Sequence, residues 1–515
     1  MLKTIKKYHN FLFLFLSVVL VTPSVLGMLH VGFPLTDDGN WMVIRFSAFY
    51  EALRSGQFPV RFLTRLNNGY GYPVADFLYP LFMYLGVPIH VIGLSFVNTI
   101  KLLMALSLFS ASAFSFLWLK NIFDNQSAFV GALFYALFPY LLFDVYTRGS
   151  VGEILALAIL PFVLWQIERK SLLLASVGIG GLIISHNTLS FLFMPFIIGY
   201  IFVRSKKFSK FNLLSFLFGL GLSSFFWIPA IYDLQYTVFT KTKVSDFSSY
   251  FINNNINFLG IISLFLILES AFYLIRKKDK LFLLLFLAFL FLVFLTFSYS
   301  LPLWKIIPIS NLIQFPFRII SLIIPLGAFM SAYLINKEKL FKKNLLVGIY
   351  LIFIFISAFP FIYPKSFQTF PDTFYSTNQD TTTVKNEYMP KWVKETSGVY
   401  NPKRVELLTG QEQINIQNIT SNKIIFNTFL PVNRTVQINI VYFPGWNAYV
   451  NGVRKEILFN NSNGLMRLDL SKGENNVVLK FSETPVRILS DFISLISMLG
   501  VMGFAVLLKK RKLKI

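Results

Sequence analysis

The sequence contains no cysteine and few acidic residues. The absence of cysteine excludes disulfides, thiolate metal sites and cysteine nucleophiles. Charged residues make up only 14% of the chain, and its 24 acids are outnumbered by 47 lysines and arginines. Apolar residues are abundant instead: 55% of the 515 residues are hydrophobic, 60 residues are phenylalanine, and the mean hydropathy is +0.62. A soluble fold could not bury this much apolar surface, so the composition predicts a polytopic α-helical membrane protein.

The formal net charge of +23 would indicate a nucleic-acid partner in a soluble protein. Here the basic residues lie mostly in short clusters between apolar segments. This arrangement is typical of the cytoplasmic loops of membrane proteins. We therefore expect membrane lipids, and no nucleic acid, as partners, and a location in the cytoplasmic membrane.

The first apolar segment is interpreted as an uncleaved transmembrane helix. Three lysines within the first seven residues precede an apolar run from 10 to 29, as in a signal peptide. The run ends in Met28-Leu29-His30, without a small-residue cleavage site, and further apolar segments follow it. The N-terminus is then cytoplasmic, and the acidic pair Asp37-Asp38 lies outside.

Threading the apolar segments in turn predicts about twelve crossings. The stretch 77–97 is left out because Pro80, Pro88 and His90 favour a broken or re-entrant element. With it excluded, the basic clusters fall on the cytoplasmic side and both termini are cytoplasmic; if it crosses, the later clusters move outside, against the positive-inside rule. The predicted helices span residues 10–29, 98–119, 126–145, 152–167, 171–185, 188–203, 211–231, 257–275, 281–299, 318–335, 344–363 and 487–508.

The chain divides into three parts by composition. Residues 1–363 are predicted to form a transmembrane domain whose outer loop, 30–76, carries the acidic pair. Residues 364–486 form an extracytoplasmic β-rich domain, because apolar and polar residues alternate there and Asn451-Gly452 is a two-residue hairpin signal. This pattern predicts a small β-sandwich. Residues 487–515 are the final helix and a basic cytoplasmic tail.

Polar residues that carry chemistry lie at the outer ends of the predicted helices. Arg45 and Arg54 follow the acidic pair at spacings that suggest one side of a helix. Guanidinium groups bind phosphate oxygens, and a carboxylate takes a proton or holds a divalent cation, so such a set suits an anionic substrate. The candidate site residues are Asp37, Asp38, Arg148, Glu153, His186 and Arg318.

A structural interpretation is open for most of these residues. Arg148 and Arg318 would then extend to lipid headgroups, Asp37-Asp38 would cap a helix, and His186 would close a helix end. Glu153 is harder to explain in this way, because an unpaired acid in an apolar helix is costly. A salt bridge from Glu153 to Arg148 is the structural alternative.

These residues also carry a family resemblance over nearly the whole chain. Their order resembles the GT-C superfamily of membrane glycosyltransferases, and within it the bacterial membrane proteins labelled 6-pyruvoyl-tetrahydropterin synthase-related, which are similar to YfhO-like proteins. The pterin label itself is not supported, because the chain has no zinc-binding histidine triad with nearby cysteine. The segments that carry the resemblance are Asp37-Asp38, Gly69 to Pro73, Tyr79-Pro80-Leu81, Arg148-Gly149 to Glu153, Leu160-Pro161, Ser185-His186-Asn187, Gln314 to Arg318, Glu387 to Pro390 and Tyr442 to Trp446.

The resemblance implies an inverting glycosyltransferase that takes a sugar from a polyprenyl-phosphate donor and passes it to a cell-envelope glycan, lipid or protein. Asp37 and Asp38 would supply the base or ligands for a divalent cation such as Mg²⁺ or Mn²⁺. Glu153, where relatives often have an Asp-containing motif, would be the second acidic element. Arg148 and Arg318 would bind the lipid phosphate, and His186 would orient a group or donate a proton.

Two other functions fit the same features. A lipid-linked glycan translocator would also need basic residues facing phosphate. Charges spread through the bilayer midplane would favour this function, but the charges of this sequence lie at the helix ends. The chain also shows no clear internal repeat. A noncatalytic envelope-assembly factor would use the outer β domain for binding. Clustered carboxylates and guanidiniums at one membrane face favour the transferase.

Overall fold

The computed structural model describes residues 2–239, 247–306 and 313–511, and the side chains within 8–507 of these ranges. The basic tail predicted at the C-terminus lies partly outside the described residues. The α-helices are α1 (Leu2–Val19), α2 (Gly39–Arg54), α3 (Val74–Phe77), α4 (Leu81–Val91), α5 (Phe96–Lys120), α6 (Asn125–Ala136), α7 (Pro139–Phe143), α8 (Val151–Glu168), α9 (Leu172–Ser185), α10 (Asn187–Ser205), α11 (Lys210–Leu222), α12 (Ser224–Asp233), α13 (Gly260–Arg276), α14 (Lys280–Leu295), α15 (Leu301–Ile306), α16 (Ile320–Lys337), α17 (Leu340–Ala358), α18 (Asp372–Thr377) and α19 (Pro485–Arg511).

The count of twelve crossings is not confirmed. Seven helical segments in the described ranges are long and apolar enough to cross a membrane, and the number rises to ten if three bent pairs each form one span. The bent pairs correspond to the predicted helices 10–29, 211–231 and 281–299, which break with bends of 44°, 64° and 93°. Hydrophobicity alone does not reveal these breaks, because both arms of each pair are apolar. The seven segments are Phe96–Lys120, Asn125–Arg148, Val151–Glu168, Asn187–Ser205, Pro316–Lys337, Leu340–Phe361 and Pro485–Leu507.

The stretch 77–97, which was left out of the count, contains the short helix α4. Its eleven residues extend about 17 Å, against a hydrocarbon thickness of about 30 Å. The helix packs on α2, where the His90 ring meets Tyr50 edge-on at 4.7 Å. This length fits the predicted non-crossing element.

The described ranges contain ten β-strands, which form one two-stranded sheet and two larger antiparallel sheets. The five-stranded sheet has the order β4-β5-β10-β7-β8, and the three-stranded sheet has the order β3-β6-β9. Apolar residues of both sheets share one core, so the predicted sandwich is present. The strands are β1 (Phe33–Pro34), β2 (Phe367–Gln368), β3 (Val405–Leu407), β4 (Ile414–Thr420), β5 (Lys423–Leu430), β6 (Arg434–Val441), β7 (Trp446–Val450), β8 (Val453–Lys455), β9 (Leu465–Leu470) and β10 (Gly473–Phe481).

The predicted hairpin at Asn451-Gly452 joins β7 to β8. Val450 pairs with Val453, and the two turn residues have φ of +50° and +81°. Positive φ at both central positions is the geometry of the two-residue turn that Asn-Gly favours.

A buried ion cluster, called the junction cluster below, fixes the sandwich to the helices. Arg487, at the start of α19, lies 2.8 Å from Asp233 of α12 and 3.4 Å from Asp76 of α3. Arg61 lies 3.4 Å from the other oxygen of Asp76, and the Nη1 of Arg487 donates to the carbonyl of Pro444 in the sandwich at 3.0 Å. The side of the helices that carries this junction is called the sandwich side.

Residues 364–404, the connecting segment, run over the sandwich side before the sandwich begins. The segment pairs β2 with β1, and α18 packs against α2. Arg65 of the first loop donates to the carbonyls of Asn378 and Tyr375 at 3.1 and 3.2 Å. The first loop and the connecting segment therefore form one layer above the helix ends.

Candidate active site

Backbone hydrogen bonds hold the Asp37-Asp38 pair against the end of another helix. The Asp37 N–H donates to the Thr147 carbonyl at 2.9 Å, and the Asp38 N–H donates to the Arg148 carbonyl at 2.8 Å. Gly149 permits this approach, because it has a φ of +66° and a Cβ there would lie 2.4 Å from Thr36 Oγ1. The acidic pair and Arg148, which were predicted separately, are brought together in this way.

The carboxylates of the pair are not used as helix caps. Asp38 occupies the N-cap position of α2 but makes no capping hydrogen bond with its side chain. The Gly39 N–H donates instead to Thr36 Oγ1 at 3.1 Å. The Asp38 side chain is 44% exposed, and Arg148 Nη2 lies 4.0 Å from its Oδ2. The capping alternative therefore finds no support in the side-chain geometry.

The two neighbouring carboxylates differ in electrostatic setting. Partial burial and the adjacent charge of Asp38 raise the pKa of Asp37 above its ordinary value, and the charge of Arg148 opposes this rise. Asp37 has no ion-pair partner among the described residues. A carboxylate with a raised pKa and open access is suited to accept a proton.

Glu153 lies at the centre of the buried part of the site. Its side chain has no exposed surface, and its Oε1 accepts from Arg148 Nη1 at 2.5 Å and from Arg318 Nε at 3.0 Å. The Nη2 of Arg318 is also 2.9 Å from this oxygen. Glu153 therefore fixes two guanidinium groups that come from different helices, which offsets the cost of burying all three charges.

Two residues of this cluster were not predicted from the sequence. Asp144 is buried and its Oδ1 lies 2.9 Å from Arg148 Nη1, one helical turn away. Tyr140 donates from its hydroxyl to Glu153 Oε2 at 3.3 Å. A single turn of π-helix, Asp144–Arg148, places both Asp144 and Arg148 in the cluster. The signal for Asp144 was an acid inside an apolar helix, the same signal that identified Glu153.

Arg318 enters the site from a short 3-10 helix, Pro316–Ile319, which leads directly into α16. Its Nη1 donates to the Gln314 side-chain oxygen at 2.7 Å and to the Ile313 carbonyl at 3.0 Å. The guanidinium lies over the Phe315 ring at 4.7 Å, and the Arg148 guanidinium lies over the same ring at 5.7 Å. These contacts account for both arginines as parts of a built cluster, in place of side chains that extend to lipid.

His186 caps a helix and also faces the cluster. Its Nδ1 accepts from the Leu189 N–H at 3.2 Å at the start of α10. The proton of a neutral imidazole is then on Nε2, which lies 3.6 Å from Glu153 Oε1. The ring also packs on Tyr79 at 4.7 Å. The expectation that His186 closes a helix end is thus confirmed. In addition, its ring places an N–H donor next to Glu153.

The sequence prediction that Arg45 and Arg54 share one side of a helix is wrong. Arg45 is buried in α2 and Arg54 is exposed. Nine residues are two and a half turns, about 900°, so the two side chains leave opposite faces.

The predicted cation ligands do not form a metal-binding group. Among the described residues, no three carboxylate or imidazole groups are placed to hold an ion. Both oxygens of Glu153 are taken by arginines and a tyrosine, which leaves this residue unsuited to a cation. Only the open oxygens of Asp37 and Asp38 fit a divalent ion, whose ligands are typically carboxylate oxygens and water.

Residues 76–364 match the sequence profile of a family described as 6-pyruvoyl-tetrahydropterin synthase related domain, a membrane protein. An uncharacterized protein of Lactococcus lactis subsp. cremoris (strain MG1363) is 28% identical over 280 residues, which are 50% of this chain and 45% of that protein. The chain therefore matches less than half of the length of this relative.

Among solved structures, the Archaeoglobus fulgidus oligosaccharyltransferase tethered with an acceptor peptide is 13% identical, with a TM-score of 0.45 over 75% of this chain and 60% of that chain. The mycobacterial arabinofuranosyltransferase AftD is 16% identical, with a TM-score of 0.45 over 69% and 27%. ArnT from Cupriavidus metallidurans, bound to undecaprenyl phosphate, is 14% identical, with a TM-score of 0.41 over 66% and 62%. Likeness of this degree carries no functional conclusion, which has to come from the residues of the site.

Proposed function

Because the chain belongs to the membrane-protein family of 6-pyruvoyl-tetrahydropterin synthase-related domains, we propose that it is an integral-membrane glycosyltransferase of the inverting type. Its donor is a sugar linked to a polyprenyl phosphate, and its acceptor is a hydroxyl of a cell-envelope glycan, lipid or protein. The observation that carries this proposal is the open Asp37-Asp38 pair beside guanidiniums that buried acids hold in place.

The reaction follows from what these groups can do. The acceptor oxygen attacks the anomeric carbon while the bond from that carbon to the phosphate oxygen breaks. The acceptor proton passes to a carboxylate of the acidic pair, and the bonding electrons leave with the lipid phosphate. Arg148 and Arg318 stabilise the negative charge on that phosphate.

The remaining residues position these groups. Glu153 holds the guanidiniums of both Arg148 and Arg318, and Asp144 holds that of Arg148 as well. His186 presents its Nε2 proton beside Glu153 and orients this carboxylate. A divalent cation held by Asp37 and Asp38 would supply further charge stabilisation for the departing phosphate.

We propose the following membrane orientation and domain boundaries for the chain. The sandwich side faces out of the cytoplasm, with both termini cytoplasmic, as the positive-inside rule favours. Residues 1–363 form the transferase domain, 364–486 the outer β-rich domain, and 487–515 the final anchor and tail.

The test is sugar transfer by the purified protein in lipid, from a panel of radiolabelled polyprenyl-phosphate sugars to envelope glycan. We expect at least one donor to be consumed with release of polyprenyl phosphate. A protein that is folded and binds these lipids but turns over none of them would contradict the transferase and favour a translocator. A folded protein that neither binds these lipids nor transfers sugar from them would favour an assembly factor.

A further inference from the structure

Another arginine near the candidate site, Arg45, lies on the same face of α2 as Asp38. The two residues are seven positions apart, which places them two turns, or about 10 Å, apart along one side of the helix. The Arg45 side chain is buried, with 9% of the residue exposed. It is therefore part of the wall above the acidic pair and not a lipid-facing cation.

The charge of Arg45 is not neutralised in the way that the charges of Arg148 and Arg318 are. Its Nε donates to Thr382 Oγ1 at 3.0 Å, its Nη2 donates to the Thr382 carbonyl, and its Nη1 points to Met42 Sδ at 3.6 Å. No carboxylate among the described residues lies within ion-pair distance of it. A guanidinium has five N–H donors, so these contacts, one of them to a weak acceptor, leave donors for an anion.

Glu387 belongs to the same connecting segment as Thr382, the residue that holds Arg45. The neighbouring Tyr388 N–H donates to the Tyr72 hydroxyl at 3.0 Å, and this hydroxyl is 2.7 Å from Thr383 Oγ1. These contacts fasten Glu387 next to the residues that hold Arg45. The Glu387 side chain itself makes no hydrogen bond or ion pair within the described ranges.

The charges of this group act on one another across a gap. Burial raises the pKa of Glu387, Arg45 opposes that rise, and Asp38 adds to it. The guanidinium of Arg45 and the carboxylates of Glu387 and Asp38 are thus close enough for their charges to interact, and no ion pair joins them among the described residues. A buried guanidinium without a neighbouring anion costs free energy. A bound ligand would offset this cost if it carried an anionic group for the guanidinium and hydrogen-bond donors for the carboxylate.

We propose that Arg45 and Glu387 recognise the head group of the donor, with the phosphate on Arg45 and the sugar hydroxyls on Glu387. This inference rests on the proposed function, because it names the substrate contacts of that site. A phosphate oxygen accepts the free guanidinium N–H groups, and sugar hydroxyls donate to a carboxylate. Arg45 binds a phosphate oxygen in addition to the contacts of Arg148 and Arg318, while Glu387 distinguishes a sugar-bearing donor from the spent carrier.

The test measures binding, so it does not depend on turnover. Farnesyl phosphate is compared with the farnesyl phosphate esters of glucose, galactose, mannose and N-acetylglucosamine, using the purified full-length protein in lipid nanodiscs. Arg45→Gln is expected to weaken binding of every probe about tenfold or more. Glu387→Gln is expected to weaken only the tightest sugar ester, about three- to tenfold, and to leave farnesyl phosphate unchanged.

Matched variants control for general effects of charge. Arg54→Gln removes an exposed arginine of the same helix, and Glu395→Gln removes an exposed acid of the same segment; both are expected to bind like the wild type. Arg45→Lys keeps the charge without the forked geometry and is expected to lie between wild type and Arg45→Gln. Thermal unfolding checks that each variant is folded.

Three results would contradict the inference. If folded Arg45→Gln binds farnesyl phosphate as tightly as the wild type, Arg45 does not contact the phosphate. If no sugar ester binds the wild type more tightly than farnesyl phosphate does, Glu387 does not recognise the sugar. Competition by phosphatidylglycerol equal to that by farnesyl phosphate would assign the anion site to bulk lipid headgroups and contradict a donor site. Arg45-dependent binding without turnover would refute the proposed function and leave this inference standing.

Discussion

The junction cluster and the candidate active site are both buried groups of arginines and acids, but they differ in what they leave open. In the junction, both carboxylates named above lie within 3.4 Å of an arginine, and Arg487 bridges the two. In the site, Glu153 and Asp144 are paired in the same way, yet among the described residues Asp37 has no ion-pair partner and Asp38 only a distant one. Burial and ion pairing are therefore common to both clusters. Under the proposed function, the open carboxylates next to a fixed cation cluster are what distinguishes the site from the junction.

Glu153→Gln should have the largest effect, because it lowers both the free energy of unfolding and the rate of sugar transfer. The variant leaves two buried guanidiniums without their shared anion, which costs about 3–5 kcal/mol in free energy of unfolding. Transfer should fall as well, because Arg148 and Arg318 lose their common orientation. Equilibrium unfolding in detergent and the transfer assay check the two parts; a variant that unfolds more easily but transfers at the wild-type rate would contradict the role of the cluster.

Arg487→Ala should destabilise the protein to a similar degree without affecting the chemistry. It leaves Asp233 buried without its arginine and leaves Asp76 with Arg61 as its remaining partner, at a cost of about 3–5 kcal/mol. Folded protein should still bind donor and transfer sugar, because the junction contains no substrate group. If folded Arg487→Ala, measured under stabilising conditions, binds the donor more weakly than the wild type, the claim that the junction cluster has no role in substrate binding would be contradicted.

Gly149→Ala should affect the site more than the fold. A Cβ at this residue would lie 2.4 Å from Thr36 Oγ1 and 2.9 Å from the Gly39 backbone, so the acidic loop has to move. We expect a stability loss of about 1–3 kcal/mol together with a larger relative loss of transfer.

Gly56→Ala is the matched control for this change. Gly56 also has a positive φ, of +89°, but its Cβ would meet nothing within 4 Å. It should cost about 1 kcal/mol and leave transfer unchanged. Equal losses of transfer in both variants would show that backbone strain, and not the approach of the acidic loop, is responsible.

The smallest predicted effect is on pH dependence. Partial burial and Asp38 raise the pKa of Asp37 above its ordinary value. A base must be deprotonated, so transfer should fall as the pH is lowered through that raised pKa, and the acid limb should lie above the ordinary value of 3.8. A pH–rate profile measures this, with Asp380→Asn, which removes an exposed acid elsewhere, as the control. An acid limb at or below the ordinary value would contradict a base in this setting.

The sequence predicted much of the architecture, because long apolar runs and alternating strands are local patterns. It also identified Asp37, Asp38, Arg148, Glu153, His186 and Arg318, and the structure brings these residues to one region. The number of crossings was not predictable, because a bend between two apolar arms leaves hydropathy unchanged. The break at α14, with its 93° turn into α15, is the clearest case.

Asp144 carried a sequence signal, an acid inside an apolar helix, but its pairing with Arg148 depends on the turn of π-helix between them. Glu387 lies more than 300 residues after the acidic pair, and no local pattern links it to Arg45. The opposite faces of Arg45 and Arg54, by contrast, follow from helical periodicity alone.

The most direct test of the account compares sugar transfer by wild type, Asp37→Asn, Asp38→Asn and the control Asp380→Asn, each reconstituted in lipid and checked for folding. If the open pair supplies the base, transfer should fall by about 100- to 10,000-fold in at least one of the two pair variants. Donor binding should be retained, and the control should match the wild type. Equal transfer in all four proteins would contradict the central claim and reduce the acidic pair to a structural element of the loop.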